Sequence, residues 1–284
     1  MKEWISPIPQ HIHLIWIGDR DPPDYLKLFL KSFQKNLPGF KIKIWNNKDL
    51  NRTYFPITYD YIQKAKEKQS DTMYDADEFK MYNSDMNTIR YSKWAQITDL
   101  MRLEAVYHWG GYYFDTTFEI LKPMVNLLNR RETFVGCNEY PFKHDGNLSN
   151  SFFGATVYNP ILKRMLKKSV LDKIDFSAQD VGKETGPGFL GRYIKKTDSF
   201  HIYPFHYFYP FMERWSENTD VPYRRSGKNK CHSDKKKRTF RKLKNKKGYI
   251  QYPCKQYPRS YALKHWQLGK SWTSFLKYYV IDDK

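Results

Sequence analysis

One stretch of this 284-residue chain, residues 93–123, constrains its fold more than any other. In the first half of the stretch, apolar residues fall on nearly every side of a helix, which predicts a helix enclosed by the rest of the protein. Gly110 and Gly111 then end the helix, because glycine tolerates the left-handed conformation of a helix cap. The aromatic residues 112–114 are typical of a strand, and this strand runs directly into residues 115–119.

Three of the charged side chains in this stretch stand out. Asp99 and Arg102 are three residues apart, so they share one face of the helix, where burial is costly unless they are paired. Asp115 stands at the end of the strand. A carboxylate in that place, beside an Asp/Arg pair on the preceding helix, predicts a functional site. The structural alternative is that Asp115 caps a turn and that Asp99 and Arg102 form a buried ion pair.

The residues around Asp115 offer oxygen ligands for a cation. Asp115 with Glu119 or Thr117 can bind Mg²⁺ or Mn²⁺, which prefer carboxylates, waters and substrate phosphates to an all-protein cage. This chemistry points to a phosphorylated donor.

Residues 98–117, TDLMRLEAVYHWGGYYFDTT, resemble the DXD-type sugar-binding region of glycosyltransferase family 32. That family includes yeast α-1,6-mannosyltransferases and bacterial capsular polysaccharide glycosyltransferases, and it is distantly similar to the clostridial glucosylating toxins. The resemblance implies an α/β fold of GT-A type, with a Rossmann-like mixed sheet, helices on both faces and the donor at the carboxyl ends of the strands. The sequence departs from the family at one point: the DXD motif is here Asp115-Thr116-Thr117.

The resemblance also implies a reaction. We expect a retaining glycosyltransferase that moves a sugar from a UDP- or GDP-linked donor to a glycan, glycoprotein or glycolipid, as in polysaccharide biosynthesis. In this reading Asp115 binds Mn²⁺ or Mg²⁺, while Asp99 and Arg102 grip sugar hydroxyls and orient the anomeric carbon. Tyr113, in the same motif, is expected beside the donor.

Other segments of the chain extend the implied donor site. Residues 8–18, IPQHIHLIWIG, resemble the family's IPKxIHxIWxG, which places Trp16 and its neighbour Ile17 at the donor base. Asn150, in an N-x-F-x-A segment, is expected to contact sugar hydroxyls, and Gly186, in a TGP segment, lets the backbone approach the ligand. Each assignment has a structural alternative: Trp16 could be a core residue, and Asn150 and Gly186 could be turn residues.

Near the carboxyl end, residues 261–272, YALKHWQLGKSW, resemble the family's A-x-H-x-W...SW motif. The resemblance implies that His265 approaches the metal or the diphosphate, and that Ser271 and Trp272 hydrogen-bond the phosphates. His265 is then a third candidate, beside Thr117 and Glu119, for the metal ligand that the missing aspartate does not supply.

Hydrophobic patterning predicts an α/β fold that opens as strand, helix, strand. The length allows one large domain or at most two, and we expect a single domain over residues 1–284. Strands are expected at residues 8–18, 40–45, 112–119, 134–137 and 150–157. Helices are expected at residues 25–36, 59–68, 94–109 and 160–170.

A basic segment carries much of the net charge of +19, because residues 224–247 contain 13 of the 49 Lys and Arg residues. We expect a basic surface loop at about 224–248, with an anionic membrane surface as a possible partner. Nucleic acid is not favoured as a partner, because the segment lacks the interleaved aromatic residues of a stacking surface.

The three cysteines follow no metal spacing and leave an odd thiol, so a reducing compartment is expected. No stretch approaches the ~20 apolar residues of a membrane span, and residues 1–10 lack a signal-peptide core. These features predict a cytoplasmic protein or one peripheral to a membrane.

Two alternatives to a metal-assisted enzyme stay open. The chain could be a non-catalytic nucleotide-sugar or glycan-binding module, for which the loss of the second aspartate is the best argument. It could also be an enzyme that has lost metal dependence, with Lys and Arg side chains neutralising the diphosphate.

Overall fold

A computed structural model describes residues 7–18, 21–68, 88–138, 148–174, 181–209 and 259–264. Its strands are β1 His11–Ile15, β2 Lys41–Trp45, β3 Gly111–Phe114, β4 Phe118–Ile120, β5 Phe134–Asn138, β6 Leu148–Ala155, β7 Phe200–Tyr203 and β8 Ala262–Lys264. Its helices are α1 Asp24–Asn36, α2 Pro56–Lys68, α3 Thr88–Trp109, α4 Val125–Leu128, α5 Pro160–Met165, α6 Lys168–Leu171, α7 Val181–Glu184 and α8 Pro187–Arg192. A 3₁₀ turn follows β7 at Phe205–Tyr207. The basic segment at 224–248 lies outside the described residues.

Six of the strands form one mixed sheet in the order β2-β1-β3-β6-β5-β7. Strand β1 is parallel to β2 and to β3, whereas β6 is antiparallel to both of its neighbours, β3 and β5. The remaining two strands, β4 and β8, pair antiparallel as a separate ribbon. The predicted mixed α/β sheet is therefore confirmed.

Apolar side chains cover both faces of the sheet, as predicted. On one face α1 contributes Leu26, Phe29 and Phe33 to a cluster that also holds Phe114 and Phe118. On the other face α3, α5 and α8 pack with the side chains that point to that side. Helix α3 is enclosed as its sequence predicts: Leu100, Met101 and Val106 have no exposed surface.

The end of α3 is joined tightly to the first strands. Gly110 and Gly111 have φ values of +61° and +94°, which confirms the predicted glycine stop. A Cβ at Gly111 would lie 2.5 Å from the His11 carbonyl oxygen, so only glycine fits there. Buried His13 accepts a hydrogen bond from Trp45 Nε1 (3.0 Å) and donates from Nε2 to the Gly110 carbonyl (2.7 Å). Burial lowers the pKa of His13 to about 4, so its ring is neutral at pH 7.

Two predicted elements are divided in the structure. The strand predicted at residues 112–119 ends at Phe114, because a turn closed by the Phe118 N–H and the Asp115 carbonyl (3.1 Å) takes the chain out of the main sheet. The helix predicted at 160–170 stops at Met165, since Lys167 is extended with ψ 137°. This break turns Leu171 into a small cluster with Tyr61, Leu100 and Ile174. Asn150 lies inside β6, so it is not the turn residue of the structural alternative.

No described helix is long and apolar enough to cross a bilayer.

Glu104 on α3 holds the start of α2. Its fully buried carboxylate accepts hydrogen bonds from the backbone N–H groups of Ile57 (2.8 Å) and Thr58 (2.7 Å). These groups lie in the first turn of α2, where no intrahelical partner exists, and a carboxylate there also favours the positive end of the helix dipole.

We predict that Glu104→Ala lowers the free energy of unfolding by about 2 kcal/mol or more, because two buried donors lose a charged acceptor. Urea unfolding monitored by circular dichroism measures this. Asp60→Ala, which removes an exposed carboxylate paired with Arg52, is the control and should leave the stability nearly unchanged. Equal effects of the two substitutions would show that Glu104 does not anchor α2.

Candidate active site

Asp115 lies at the carboxyl end of β3, where the main sheet stops. Its backbone N–H still donates to the Ser151 carbonyl (2.9 Å), which continues the β3–β6 ladder by one residue. Its side chain is 22% exposed and lies among buried neighbours. The Tyr113 hydroxyl donates to Asp115 Oδ1 (2.7 Å), which orients the carboxylate.

Asp99 and Arg102 form the pair that the helix spacing predicts. Arg102 Nη2 lies 3.1 Å from Asp99 Oδ1, and Nη1 lies 3.3 Å from Asp115 Oδ1, so one guanidinium joins both carboxylates. The side chains of Arg102 and Asp99 are only 9% and 7% exposed. The predicted catalytic residues therefore form one cluster, in which Asp99 and Arg102 are buried and Asp115 is partly exposed.

Backbone and ring contacts hold the Arg102 guanidinium in place. It donates from Nε to the Thr98 carbonyl (3.1 Å) and from Nη1 to the Asn150 carbonyl (2.9 Å). Its Cζ lies 4.7 Å from the centroid of the Tyr113 ring, a cation–π contact. These hydrogen bonds, together with the contact between the flat face of the guanidinium and the Tyr113 ring, hold the Arg102 side chain in one orientation.

Asp99 is oriented by two further hydrogen-bond donors. Asn150 Nδ2 donates to Asp99 Oδ1 (2.7 Å), and the Thr185 hydroxyl donates to Asp99 Oδ2 (2.9 Å). Thr185 directly precedes Gly186, the residue before α8, so the TGP segment reaches the cluster through Thr185. Sequence reasoning missed Thr185, although it belongs to the segment that was singled out.

Lys264 is the second cation of the cluster, and it was also missed. Its Nζ donates to Asp115 Oδ2 and lies 3.3 Å from Ser151 Oγ, and its side chain is 5% exposed. Strand β8 delivers it, since Lys264 pairs with Phe118 in the β4–β8 ribbon. A signal was present in the sequence. When Ala262 is matched to the first position of the A-x-H-x-W pattern, Lys264 falls on the third position and His265 on the fourth.

Burial and charge move the two carboxyl groups in opposite directions. Burial raises the pKa of Asp99 to about 6, although Arg102 and the Thr185 hydrogen bond oppose the shift. Burial also opposes ionisation of Asp115, but the Lys264 ammonium and the Arg102 guanidinium outweigh it and lower its pKa. Asp115 is thus the firmly ionised carboxylate of the cluster.

The remaining predicted residues fall into two groups. Trp16 follows β1, which is parallel to β3, so it lies at the same edge of the sheet as Asp115. The side chain of Ile17 is 1% exposed and lies within an apolar core, so only the backbone of Ile17 could contact a donor. His265, Ser271 and Trp272 lie outside the described residues, and their predicted roles stay predictions.

Three of the candidate metal ligands, Asp115, Thr117 and Glu119, lie within the described part of the chain. Asp115 is engaged by two cations, and Glu119 lies on β4, on the side opposite to the core residues Phe118 and Ile120. The Thr117 hydroxyl is buried and has no hydrogen-bond partner among the described residues. Those residues contain no group of three His, Cys, Asp or Glu side chains that could hold a metal ion.

Residues 23–135 match a family model described as "Glycosyltransferase sugar-binding region containing DXD motif", which confirms the resemblance drawn from the sequence. This match spans Asp99, Arg102 and Asp115. No curated protein matches the chain.

Three solved structures are similar to the chain at low identity. The PaToxG glycosyltransferase shares 20% identity over 66% of this chain and 69% of its own, with a TM-score of 0.44. The UDP-bound glycosyltransferase domain of the YGT toxin shares 11% identity over 71% and 80%, with a TM-score of 0.43. Mouse xyloside xylosyltransferase 1 shares 11% identity over 74% and 78%, with a TM-score of 0.32.

The raised pKa of Asp99 predicts a pH dependence of stability. Because its pKa rises on folding from 3.8 to about 6, the folded state binds the proton more tightly than the unfolded chain. The resulting stabilisation is complete below pH 3.8 and is lost as the pH rises through about 6.

In Asp99→Asn this pH-dependent part is absent. We therefore predict that the stability of wild type relative to Asp99→Asn falls by roughly 2 to 3 kcal/mol between acid and neutral pH, measured by urea unfolding at intervals from about pH 4 to about pH 7. A difference that stays constant with pH would contradict the raised pKa.

Proposed function

We propose that this chain, a glycosyltransferase-type domain whose residues 23–135 are a DXD-type sugar-binding region, transfers a sugar from a nucleoside diphosphate sugar to a hydroxyl acceptor. UDP and GDP are the candidate base carriers, and a glycan, glycoprotein or glycolipid is the candidate acceptor. The observation that carries the proposal is the Asp99–Arg102–Asp115 cluster at the carboxyl end of β3.

The cluster supplies the two kinds of group that a sugar nucleotide needs. Carboxylate oxygens of Asp99 accept hydrogen bonds from sugar hydroxyls, and the Arg102 guanidinium donates to hydroxyl or phosphate oxygens. Both side chains are fixed by their neighbours before the donor arrives. This preorganisation lowers the entropic cost of bringing the anomeric carbon into line with the acceptor.

In the reaction, the bond from the anomeric carbon to the diphosphate oxygen breaks and a bond to the acceptor oxygen forms, while the acceptor hydroxyl loses its proton. Negative charge develops on the leaving diphosphate, and fixed cations in a water-poor site stabilise it. Arg102 and Lys264 are the described cations next to Asp115. Retention of anomeric configuration is part of the proposal because of the family resemblance, and proton NMR of the product anomer tests it.

A divalent cation was predicted at Asp115, and the described residues do not fit one. Of the predicted ligands among them, Asp115 already contacts two cationic side chains, Thr117 offers only a neutral hydroxyl, and Glu119 lies on the side of β4 opposite to the core. Mn²⁺ and Mg²⁺ favour several anionic oxygens. A ligand set that includes His265 stays a prediction. The steps above therefore use this chain's own side chains alone.

A non-catalytic sugar-nucleotide-binding module is the second candidate. Thr117 stands where the family pattern has its second aspartate, and this observation favours binding without turnover. Release of UDP or GDP from a panel of nucleotide sugars, with and without Mn²⁺, distinguishes the two candidates. Binding of a nucleotide sugar without release of nucleotide in either buffer would favour the module.

Asp115 orients Arg102, Lys264 and the Tyr113 hydroxyl around the reacting centre. We predict that Asp115→Asn lowers kcat by about 100-fold or more, because one isosteric change removes the charge on which the two cations converge. The rate of nucleotide release measures this effect, and the thermal midpoint checks folding. Glu132→Gln, which alters a carboxylate paired with Arg130 on the surface, is the control. A folded Asp115→Asn with the wild-type rate would remove Asp115 from the mechanism.

Arg102 is expected to recognise the sugar more than the nucleotide. Arg102→Lys keeps the charge but loses the planar fork that reaches Asp99, Asp115 and the Asn150 carbonyl together. We predict a fall in kcat/KM for the sugar donor of about 10-fold or more, with a much smaller change in the Kd of the free nucleoside diphosphate. Steady-state kinetics and calorimetry measure the two quantities, with Arg130→Lys as the control. Equal losses in both would contradict a sugar-facing role.

A further inference from the structure

We propose that Lys264, in place of a divalent metal ion, provides the positive charge that binds the donor diphosphate beside Asp115. This inference rests on the proposed function, since it concerns how the same site binds its donor. It assigns the chain to the metal-independent alternative and names the residue responsible.

Hydrogen bonds and charges already satisfy both oxygens of Asp115. Oδ1 accepts from the Tyr113 hydroxyl (2.7 Å) and lies 3.3 Å from Arg102, while Oδ2 contacts the Lys264 ammonium. A metal ion at Oδ2 would have to displace an ammonium that is almost completely buried and also lies 3.3 Å from Ser151 Oγ. The position that a metal would need is thus taken by a cation of the chain itself.

The backbone of β8 fixes this lysine at the site. The backbone N–H of Lys264 donates to the Phe208 carbonyl (3.2 Å), and the β4–β8 pairing places Lys264 opposite Phe118. Its Nζ lies 5.5 Å from the centroid of the Phe118 ring, a second contact that favours a cation. Lys264 is therefore built into the site and is not a surface lysine that folds over it.

One departure of the sequence from the family pattern has the same electrostatic sense. Thr117 stands in place of an aspartate, which removes a ligand that a metal could use and makes the site one unit more positive.

A phosphate oxygen is an acceptor of the same kind as a carboxylate oxygen. When the donor binds, one N–H group of the ammonium can therefore donate its hydrogen bond to a diphosphate oxygen, and the ammonium keeps its proton and its charge.

The test is calorimetric titration of UDP and GDP into the full-length protein, once in buffer with EDTA and once with Mn²⁺. We expect one of the nucleotides to bind wild type in EDTA, with an affinity that changes less than about three-fold when Mn²⁺ replaces EDTA. Lys264→Gln is expected to weaken binding in EDTA by about 10-fold or more, because a charged donor to the diphosphate is lost. Lys264→Arg should retain part of the affinity.

Lys122→Gln is the matched control. Lys122 follows β4 and places its Nζ 4.1 Å from the centroid of the Tyr261 ring, so the substitution removes an equal charge near the same ribbon but away from Asp115. It should bind like wild type. Circular dichroism establishes that each variant is folded. If Lys264→Gln does not fold, the comparison of EDTA with Mn²⁺ in wild type still tests whether a metal is needed, and Lys264→Arg tests the residue.

Binding by wild type only in the presence of Mn²⁺ would overturn the role of Lys264 and leave the proposed function standing. An unchanged affinity of folded Lys264→Gln in EDTA would overturn it as well. If neither nucleotide bound in either buffer, the proposed function itself would fail, and the inference with it.

Discussion

The contact between Asp115 and its two cations holds together parts of the protein that are far apart in the sequence. Arg102 comes from the buried helix α3, Asp115 from the end of β3, and Lys264 from a strand 149 residues after Asp115. Removing one member of such a cluster leaves a buried charge without a partner, which is strongly destabilising. The main sheet, its central helix and the β4–β8 ribbon are therefore joined at this point by a single set of charges.

Local patterns in the sequence predicted most of the elements that carry this cluster. The spacing of apolar residues located α1 and α3, and Gly110-Gly111 marked the end of α3, because a helix period and a glycine cap depend on neighbouring residues. The divided elements show the limit of this reasoning. The chain leaves the main sheet after Phe114 because β8 offers a second partner to β4, and that partner lies far along the sequence. Aromatic strand character alone did not distinguish one strand from two.

The candidate site was predicted for the residues close together in sequence and missed for those brought in by the fold. Asp99 and Arg102 were recognisable because two charges on one face of an apolar helix need partners. Thr185 and Lys264 complete the same network, but a threonine or a lysine in isolation has no such signature. Only the packing of strands and helices brings them close to the residues of the cluster. The candidate metal site was inferred from the residues around Asp115 and from His265, without the charge that Lys264 brings to it.

A cation supplied by the chain differs physically from one taken from solution. A metal ion leaves when its concentration falls, whereas an ammonium on β8 stays as long as the ribbon with β4 is formed. Loss of that pairing would remove the charge and, with it, the partner of Asp115 Oδ2. Since the cost of burying Lys264 is offset by Asp115, each of the two residues keeps the other in place. Integrity of the site is then linked to formation of the β4–β8 ribbon.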